Sequence, residues 1–372
     1  MNILIINKCA PFEGRGAEQV IWKIGKELAA NGHHVLFFTA SPEEGANTPS
    51  IENLDFEFVQ TSAKPTRGMI EFFLKAPTVY PSVYSRFEPD VVYDNPSPFP
   101  FHPAHIYGDA QVVNKVHAIY RSLAFSCKNH PLVKIGTIFG EETYRLFRDN
   151  YFITNSDSTA ERLSKLVNKN RTRIFSNPIG IKASEFEFDF SLDSQQVTVV
   201  SKLNSRKGIF YLLQAWERIM QSHPDANLVI AGSGPEAEQL QKLGVKLGLD
   251  RVEFAGYVTE EEKKELLRES AVFALPTLYE GFGITNLEAM ASGCAVVSTD
   301  TWGVKDYLEH EKNGLTVAPK STAELAEAVS RLLEDTEFRR HLAISGRRTA
   351  EQYSMEESLN RELRYIEKIA ST

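Results

Sequence analysis

Leu275-Pro276-Thr277-Leu278-Tyr279-Glu280-Gly281-Phe282-Gly283-Ile284-Thr285-Asn286-Leu287-Glu288-Ala289-Met290-Ala291-Ser292-Gly293 is the stretch on which the reading of this chain turns. It starts as an apolar strand, passes a glycine-containing turn and runs directly into a helix. Gly281 and Gly283 let the backbone come close to a ligand. The N–H groups of Phe282, Gly283, Ile284 and Thr285 would be free at the helix start, an arrangement that suits an anion such as a diphosphate. Glu288, one turn into the helix, is placed to accept hydrogen bonds from sugar hydroxyls, and Glu280 on the loop to face a reacting sugar. Two plainer readings stand beside these. Thr285-x-x-Glu288 also fits a capping box, and Glu280 also fits a solvated loop carboxylate.

On either side of this stretch, short apolar runs alternate with helical periods. Asn2–Ile6 is a strand, Val20, Ile21, Ile24, Leu28 and Ala29 recur at helical spacing, and His34–Thr39 is the next strand. Such a strand–helix–strand unit implies a parallel sheet. A second series starts at Gln196–Val200 and runs through strands at 227–232, 252–254, 271–275 and 295–298, with helices between them and one at 321–333. Lys182–Gln195 has no apolar period and is expected to be a hinge linker. Met355–Ile369 carries the stripe Leu359, Leu363, Ile366 and Ile369 of a last amphipathic helix. The expected fold class is α/β, with two doubly wound sheets facing across a cleft, where ligands bind at the carboxyl ends of the strands.

The length of 372 residues agrees with two domains. A net charge of −8 argues against a nucleic-acid-binding protein. Residues 1–180 hold 19 basic and 18 acidic side chains, and the remaining 192 hold 22 and 31, so the first half is the more hospitable to an anionic partner. Cys9, Cys127 and Cys294 are far apart and suggest neither a zinc site nor a redox pair. No apolar run is long enough to span a bilayer. A cytoplasmic location, with contact at the inner membrane face, is the expectation.

Other clusters extend the pattern: Ser201-Lys202-Leu203-Asn204-Ser205-Arg206-Lys207-Gly208 after a strand, Gly14-Arg15-Gly16-Ala17-Glu18 after the first strand, and Val112-Val113-Asn114-Lys115-Val116-His117. With the paired glutamates Glu280 and Glu288, these resemble the family-4 retaining glycosyltransferases, which have the GT-B fold. The turns at Gly232–Pro235, Phe254–Val258, Trp302–Val304 and Asn177–Ile181 are similar too, so the resemblance covers almost the whole chain. It implies that Glu288 binds the nucleotide ribose and that Glu280 supports the donor sugar. Lys202, in place of the family's arginine, and Lys207 would grip the diphosphate. Gly16 would offer backbone to the donor, His117 would lie near the donor sugar as a catalytic residue, and the Tyr257–Val258 backbone would read the base. Tyr93 stands where the family has a second histidine.

The resemblance further implies an acceptor-binding domain over residues 1–181, a nucleotide-sugar-binding domain over 196–352, and a terminal helix, 353–372, packed back on the first domain. The activity implied is transfer of a hexose from a UDP- or GDP-sugar to a glycan, lipid-linked or small-molecule acceptor, with retention, by front-face displacement. Neither a metal nor a cofactor is expected, the nucleotide sugar being the substrate. Two rivals are a sugar-nucleotide epimerase on the same architecture and a binding protein that has lost turnover. Residues 64–75 (Lys64, Arg67, Met69, Ile70, Phe72, Phe73, Lys75) and 118–134 (Tyr120, Arg121, Phe125, Lys128, His130, Lys134) combine basic with aromatic and other apolar side chains, which suits either a membrane surface or ordinary core packing.

Overall fold

The computed structural model describes residues 1–12, 17–41, 47–62, 65–96, 100–119, 131–168, 173–190 and 193–371, with the backbone alone for 17, 65, 66, 131–134 and 136. These fall into two compact units: residues 1–119, 131–177 and 357–371 in the first, and 178–356 in the second.

The first unit comprises β1 (Asn2–Asn7), α1 (Ala17–Ala30), β2 (His34–Ala40), β3 (Leu54–Val59), α2 (Pro65–Phe87), β4 (Val91–Asp94), α3 (Pro103–Ile106), β5 (Gln111–Val116), α4 (Pro131–Glu142), β6 (Tyr151–Thr154), α5 (Asp157–Val167) and β7 (Ile174–Ser176). The strands form one parallel sheet in the order β3-β2-β1-β4-β5-β6-β7, with Ile3 in register with Val35 on one side and Val91 on the other. Strand parity sorts the core. Ile3, Ile5, Val35, Phe37 and Tyr93 meet Ile21, Ile24 and Leu28 of α1 on one face. Leu4, Ile6, Leu36, Phe38 and Val92 meet Phe72, Ala76, Tyr80 and Val83 of α2 on the other. Both faces are covered, which is why β1 reads as an unbroken apolar run.

The second unit comprises β8 (Gln196–Val200), α6 (Ile209–Ser222), β9 (Asn227–Ala231), α7 (Ala237–Lys246), β10 (Val252–Gly256), α8 (Glu260–Arg268), β11 (Val272–Leu275), α9 (Ile284–Ser292), β12 (Ala295–Thr299), β13 (Leu315–Val317), α10 (Thr322–Glu334) and α11 (Thr336–Gln352). Its parallel sheet runs β10-β9-β8-β11-β12-β13. In both sheets the strand order reverses beside the first strand, between β1 and β4 and between β8 and β11. These are the switch points at which open α/β sheets bind ligands.

The last helix, α12 (Met355–Ala370), returns to the first unit from Glu357 onward. Leu363, Ile366 and Ile369 join the α1 face of the sheet. Glu362 enters the same face and is 2% exposed. Its Oε2 lies 2.6 Å from Nζ of Lys115, itself 1% exposed, and accepts from Asn177 Nδ2 at 2.8 Å. Tyr93 donates its hydroxyl to Glu362 Oε1. Burial, with the Glu362 charge adding to it, pushes the Tyr93 phenol well above its ordinary pKa. Tyr93, where a ligand-facing histidine is expected from the resemblance, thus belongs to the core that holds α12.

Three elements differ from the sequence reading. Residues 182–190 and 193–195 do not stand between the units but pack within the second. Phe186 is in its core, and Asp189 N–H donates to Ser292 O at 3.1 Å. The chain crosses at 177/178 and 356/357 instead. There Ile181 N–H donates to Tyr353 O and Met355 N–H to Ile181 O, at 2.8 and 3.1 Å. α2 is a 23-residue helix with Pro77 and Pro81 inside it. Each proline removes one backbone bond, and burial of Phe72, Ala76, Tyr80 and Val83 at helical spacing outweighs the loss. α11 follows α10 after the single residue Asp335, whose side chain accepts from Phe338 N–H at 2.9 Å and starts the helix.

Candidate functional site

The loops that leave β8 and β11, the two strands flanking the second switch point, are tied together. After β8 the chain makes a short 3₁₀ turn, Ser205–Lys207, closed by Gly208 at φ +68°. A Cβ at 208 would lie 2.0 Å from Pro276 O, so glycine is what allows the two loops to touch. Arg206 O accepts from Leu278 N–H at 2.7 Å and from Thr277 Oγ1 at 3.2 Å. From the other side, Gly303 N–H donates to Glu280 O at 3.2 Å, and Tyr307 donates its hydroxyl to Gly283 O at 3.0 Å. The Trp302–Val304 turn and Tyr307 therefore brace the loop that carries Glu280.

Within this frame Lys207 Nζ lies 2.5 Å from Glu280 Oε2, and Arg206 Nη1 lies 3.5 Å from Glu280 Oε1. Arg206 Nη1 also donates to Tyr279 O at 3.2 Å. Burial alone would raise the Glu280 carboxyl, but the Lys207 ammonium and the Arg206 guanidinium win, holding it below the usual carboxylate range. Burial pulls the Lys207 ammonium down and Arg206 adds to this, against the attraction of Glu280. Glu280 is thus a half-buried carboxylate bound by two cations, not a solvated loop residue. Those cations could instead face the oxygens of a phosphate.

Helix α9 starts at Ile284 with Gly283 as N-cap, at φ +89°, and no side chain caps it. The Thr285–Glu288 capping box does not form. Glu288 is 9% exposed, and its Oε1 accepts from Lys263 Nζ on α8 at 2.9 Å. Lys263 Nζ also donates to Glu260 Oε2 at 2.8 Å. The Phe282 ring packs against Tyr307 and Tyr353, at 5.2 and 5.6 Å between centroids, so this residue can serve a ligand only through its backbone.

Lys207, Glu280, Gly281 and Gly283 are therefore assembled at one place, with Ile284, Thr285 and Glu288 on the helix that follows. Lys202 is exposed at the end of β8, outside the Glu280 cluster. Arg206, not among the expected site residues, takes its place there. Tyr257 is 60% exposed and Val258 is half-buried, in the loop between β10 and α8. Gly16 lies outside the described residues.

His117 belongs to the first unit, at the carboxyl end of β5. Its Nδ1 accepts from Asn155 Nδ2 at 2.7 Å, so its proton sits on Nε2 and is donated to Asn95 Oδ1 at 2.8 Å. Asn95 Nδ2 continues the chain to Asn7 Oδ1 at 2.6 Å. Burial, with the positive charges of Lys115 and Lys8, pushes the imidazole down to about 3. A neutral ring with both nitrogens engaged orders the polar ends of β1, β4 and β5.

Of the residues considered for a membrane surface, Phe72 is in the core, while Arg67 and Lys75 are exposed beside Glu71 at 2.7 and 3.5 Å. Lys64, Tyr120, Arg121, Phe125, Lys128 and His130 lie outside the described residues, as does the Lys134 side chain. Among the described residues no helix is long and apolar enough to cross a membrane.

Residues 14–182 match the family described as Glycosyltransferase Family 4, and residues 181–349 match the Glycosyl transferases group 1. An uncharacterized glycosyltransferase of Methanocaldococcus jannaschii is 31% identical over 245 residues, 59% of this chain and 63% of that relative's length. Two solved structures share the fold over the full chain. The sucrose-phosphate synthase of Thermosynechococcus elongatus has a TM-score of 0.85 at 20% identity, covering 100% of this chain and 99% of that one. HepE of Anabaena, in complex with UDP-glucose, has a TM-score of 0.74 at 17% identity, covering 100% and 99%. With the two family modules in tandem over residues 14–349, and two parallel sheets of seven and six strands, the chain belongs to the family-4 glycosyltransferases of GT-B fold.

Proposed function

We propose that the protein is a retaining glycosyltransferase that moves a hexose from a UDP- or GDP-sugar to a glycan, lipid-linked or small-molecule acceptor, without a metal ion. The observation that carries this reading is the Arg206–Lys207–Glu280 cluster at the switch point of the second sheet, beside an uncapped helix start. A nucleotide-sugar donor is further supported by the UDP-glucose in the related HepE structure.

In the reaction the bond from the anomeric carbon to the diphosphate oxygen breaks, and negative charge builds on the leaving group. Lys207, Arg206 and the N–H groups at the start of α9 stabilise that charge in place of a divalent cation, and Lys202 adds a more distant positive charge. The acceptor hydroxyl attacks from the same face and passes its proton to the departing phosphate, so configuration is retained. Glu280 supports the donor sugar and forms no covalent bond. Glu288 accepts hydrogen bonds from the ribose hydroxyls.

Thermal-shift screening against UDP, GDP, ADP and their sugars identifies the donor, and NMR of the product reads its anomeric configuration. Glu280→Ala is expected to cut turnover steeply with nucleotide affinity largely kept, and Glu288→Ala to weaken nucleotide binding. Activity lost in EDTA and restored by manganese, an inverted product, or full activity in both variants would refute the reading. Interconversion of the nucleotide sugar without an acceptor would favour the epimerase instead.

A further inference from the structure

We propose that Lys263 is a positioning residue for nucleotide recognition: its ammonium holds the Glu288 carboxylate in the orientation that receives the ribose hydroxyls. The inference rests on the proposed role of Glu288 and extends it to a residue on a different helix.

The surroundings of Lys263 set it apart from most lysines of the chain. Lys165–Glu161, Lys242–Glu238 and Lys312–Glu309 pair within one exposed helix or turn, with both side chains more than half exposed, and such pairs contribute little. The Lys263 and Glu288 side chains are only 10% and 11% exposed, and they join two separate helices, α8 and α9. Those helices already pack against each other, and each sends a leucine, Leu267 and Leu287, into the core. A buried ion pair adds little stability that two apolar side chains would not supply. The charge at this place therefore calls for another explanation, and a carboxylate that must stay ionised and aimed provides one.

The geometry fits that role. Lys263 Nζ takes Glu288 Oε1 at 2.9 Å and is itself anchored by Glu260 Oε2 at 2.8 Å, so the ammonium is gripped from both sides. Burial would push Lys263 down, but the Glu288 and Glu260 charges outweigh it and hold the ammonium above its ordinary value. α8 follows directly on the Tyr257–Val258 loop, and its first turn is locked by a capping box between Thr259 and Glu262. By the family resemblance that loop lies on the base. Lys263 thus links the base loop to the ribose carboxylate through one turn of a capped helix.

The test is calorimetric titration of the full chain with UDP and GDP and with their 2′,3′-dideoxy counterparts, which lack both hydroxyls and serve as the deoxynucleotides of the comparison. The wild type is expected to prefer the ribonucleotide by about tenfold or more, the scale of a hydrogen bond to a charged group. Lys263→Met should weaken ribonucleotide binding by about tenfold and leave the deoxynucleotide almost unchanged, so that the preference nearly vanishes. Lys263→Arg should restore it. Deoxynucleotide affinity reports that the site is still folded, and a merely structural lysine would lower both affinities together. Equal loss of both, or a preference kept in Lys263→Met, overturns the inference alone. A wild type that binds nucleotide without preferring ribose overturns the Glu288 assignment itself.

Discussion

Replacing Glu362 by glutamine keeps the shape of the side chain and removes one charge. Lys115 would then stay at 1% exposure with its ammonium facing a neutral amide in place of the carboxylate oxygen at 2.6 Å. Breaking a buried ion pair in this way costs about 3–5 kcal/mol. The loss should fall on the first unit, because Lys115, Tyr93, Asn177 and residues of α12 from Glu357 onward all belong to it. The companion variant Lys115→Met with Glu362→Gln removes both charges, while the new amide oxygen still accepts from the Tyr93 hydroxyl. It should be more stable than Glu362→Gln alone, the reverse of additive damage. Two units make a single global transition a poor measure. The assay is hydrogen exchange by mass spectrometry in a urea series, reading peptides from β4 and β5 against β8 and β11 as internal control. Exchange in β4 and β5 should accelerate on the order of a hundredfold or more, with the control unchanged. A change below about 1 kcal/mol, or a double variant no more stable than the single one, would refute charge compensation as the reason α12 is held.

Arg206→Ala should lower nucleoside diphosphate affinity by about tenfold, and Lys202→Ala by less than about threefold, measured by calorimetry; the opposite order would return the diphosphate grip to Lys202. Gly208→Ala places a Cβ 2.0 Å from Pro276 O at φ +68°. Thermal unfolding and UDP titration should show the second unit destabilised by at least about 1–2 kcal/mol and nucleotide binding impaired. His117 is held neutral to about pH 3, whereas an unfolded histidine protonates near 6.5. Between those values the unfolded chain binds the additional proton. The first unit therefore loses stability on acidification, by at most about 1.4 kcal/mol per pH unit, and His117→Gln should flatten that slope in urea titrations between about pH 4 and 6.

Strands were legible wherever both faces are covered, as at β1 and β8, because burial on both sides demands an unbroken apolar run. α2 was hidden by Pro77 and Pro81, and α11 by a buried face of small residues, Ala343, Gly346 and Ala350, which gives only a faint period. In the site, Lys207 and Glu280 were legible because each stands in a short loop directly before a glycine, Gly208 and Gly281. Which of Lys202 and Arg206 turns toward Glu280 depends on the 3₁₀ turn at Ser205–Lys207, and composition does not reveal a turn of that kind. Lys263 sits in the run Glu260-Glu261-Glu262-Lys263-Lys264-Glu265, which reads as a solvated face. Only the approach of α9 buries one lysine of the two. Tyr93 stands where the family has a second histidine, and strand parity turns it toward α12.

Among the described residues the second unit falls within one stretch, 178–356, set inside a first unit whose parts lie on both sides of it. During synthesis this inverts the order of completion. The first sheet emerges first and must wait, its Lys115 without a counter-charge and its α1 face open, while the whole inner unit is made and can close on itself. Residues 357–371 then arrive to finish a unit begun more than three hundred residues earlier. A chain truncated after residue 356 should therefore hold a mature second unit beside an immature first one, which chaperones and proteases would meet as an open apolar sheet face.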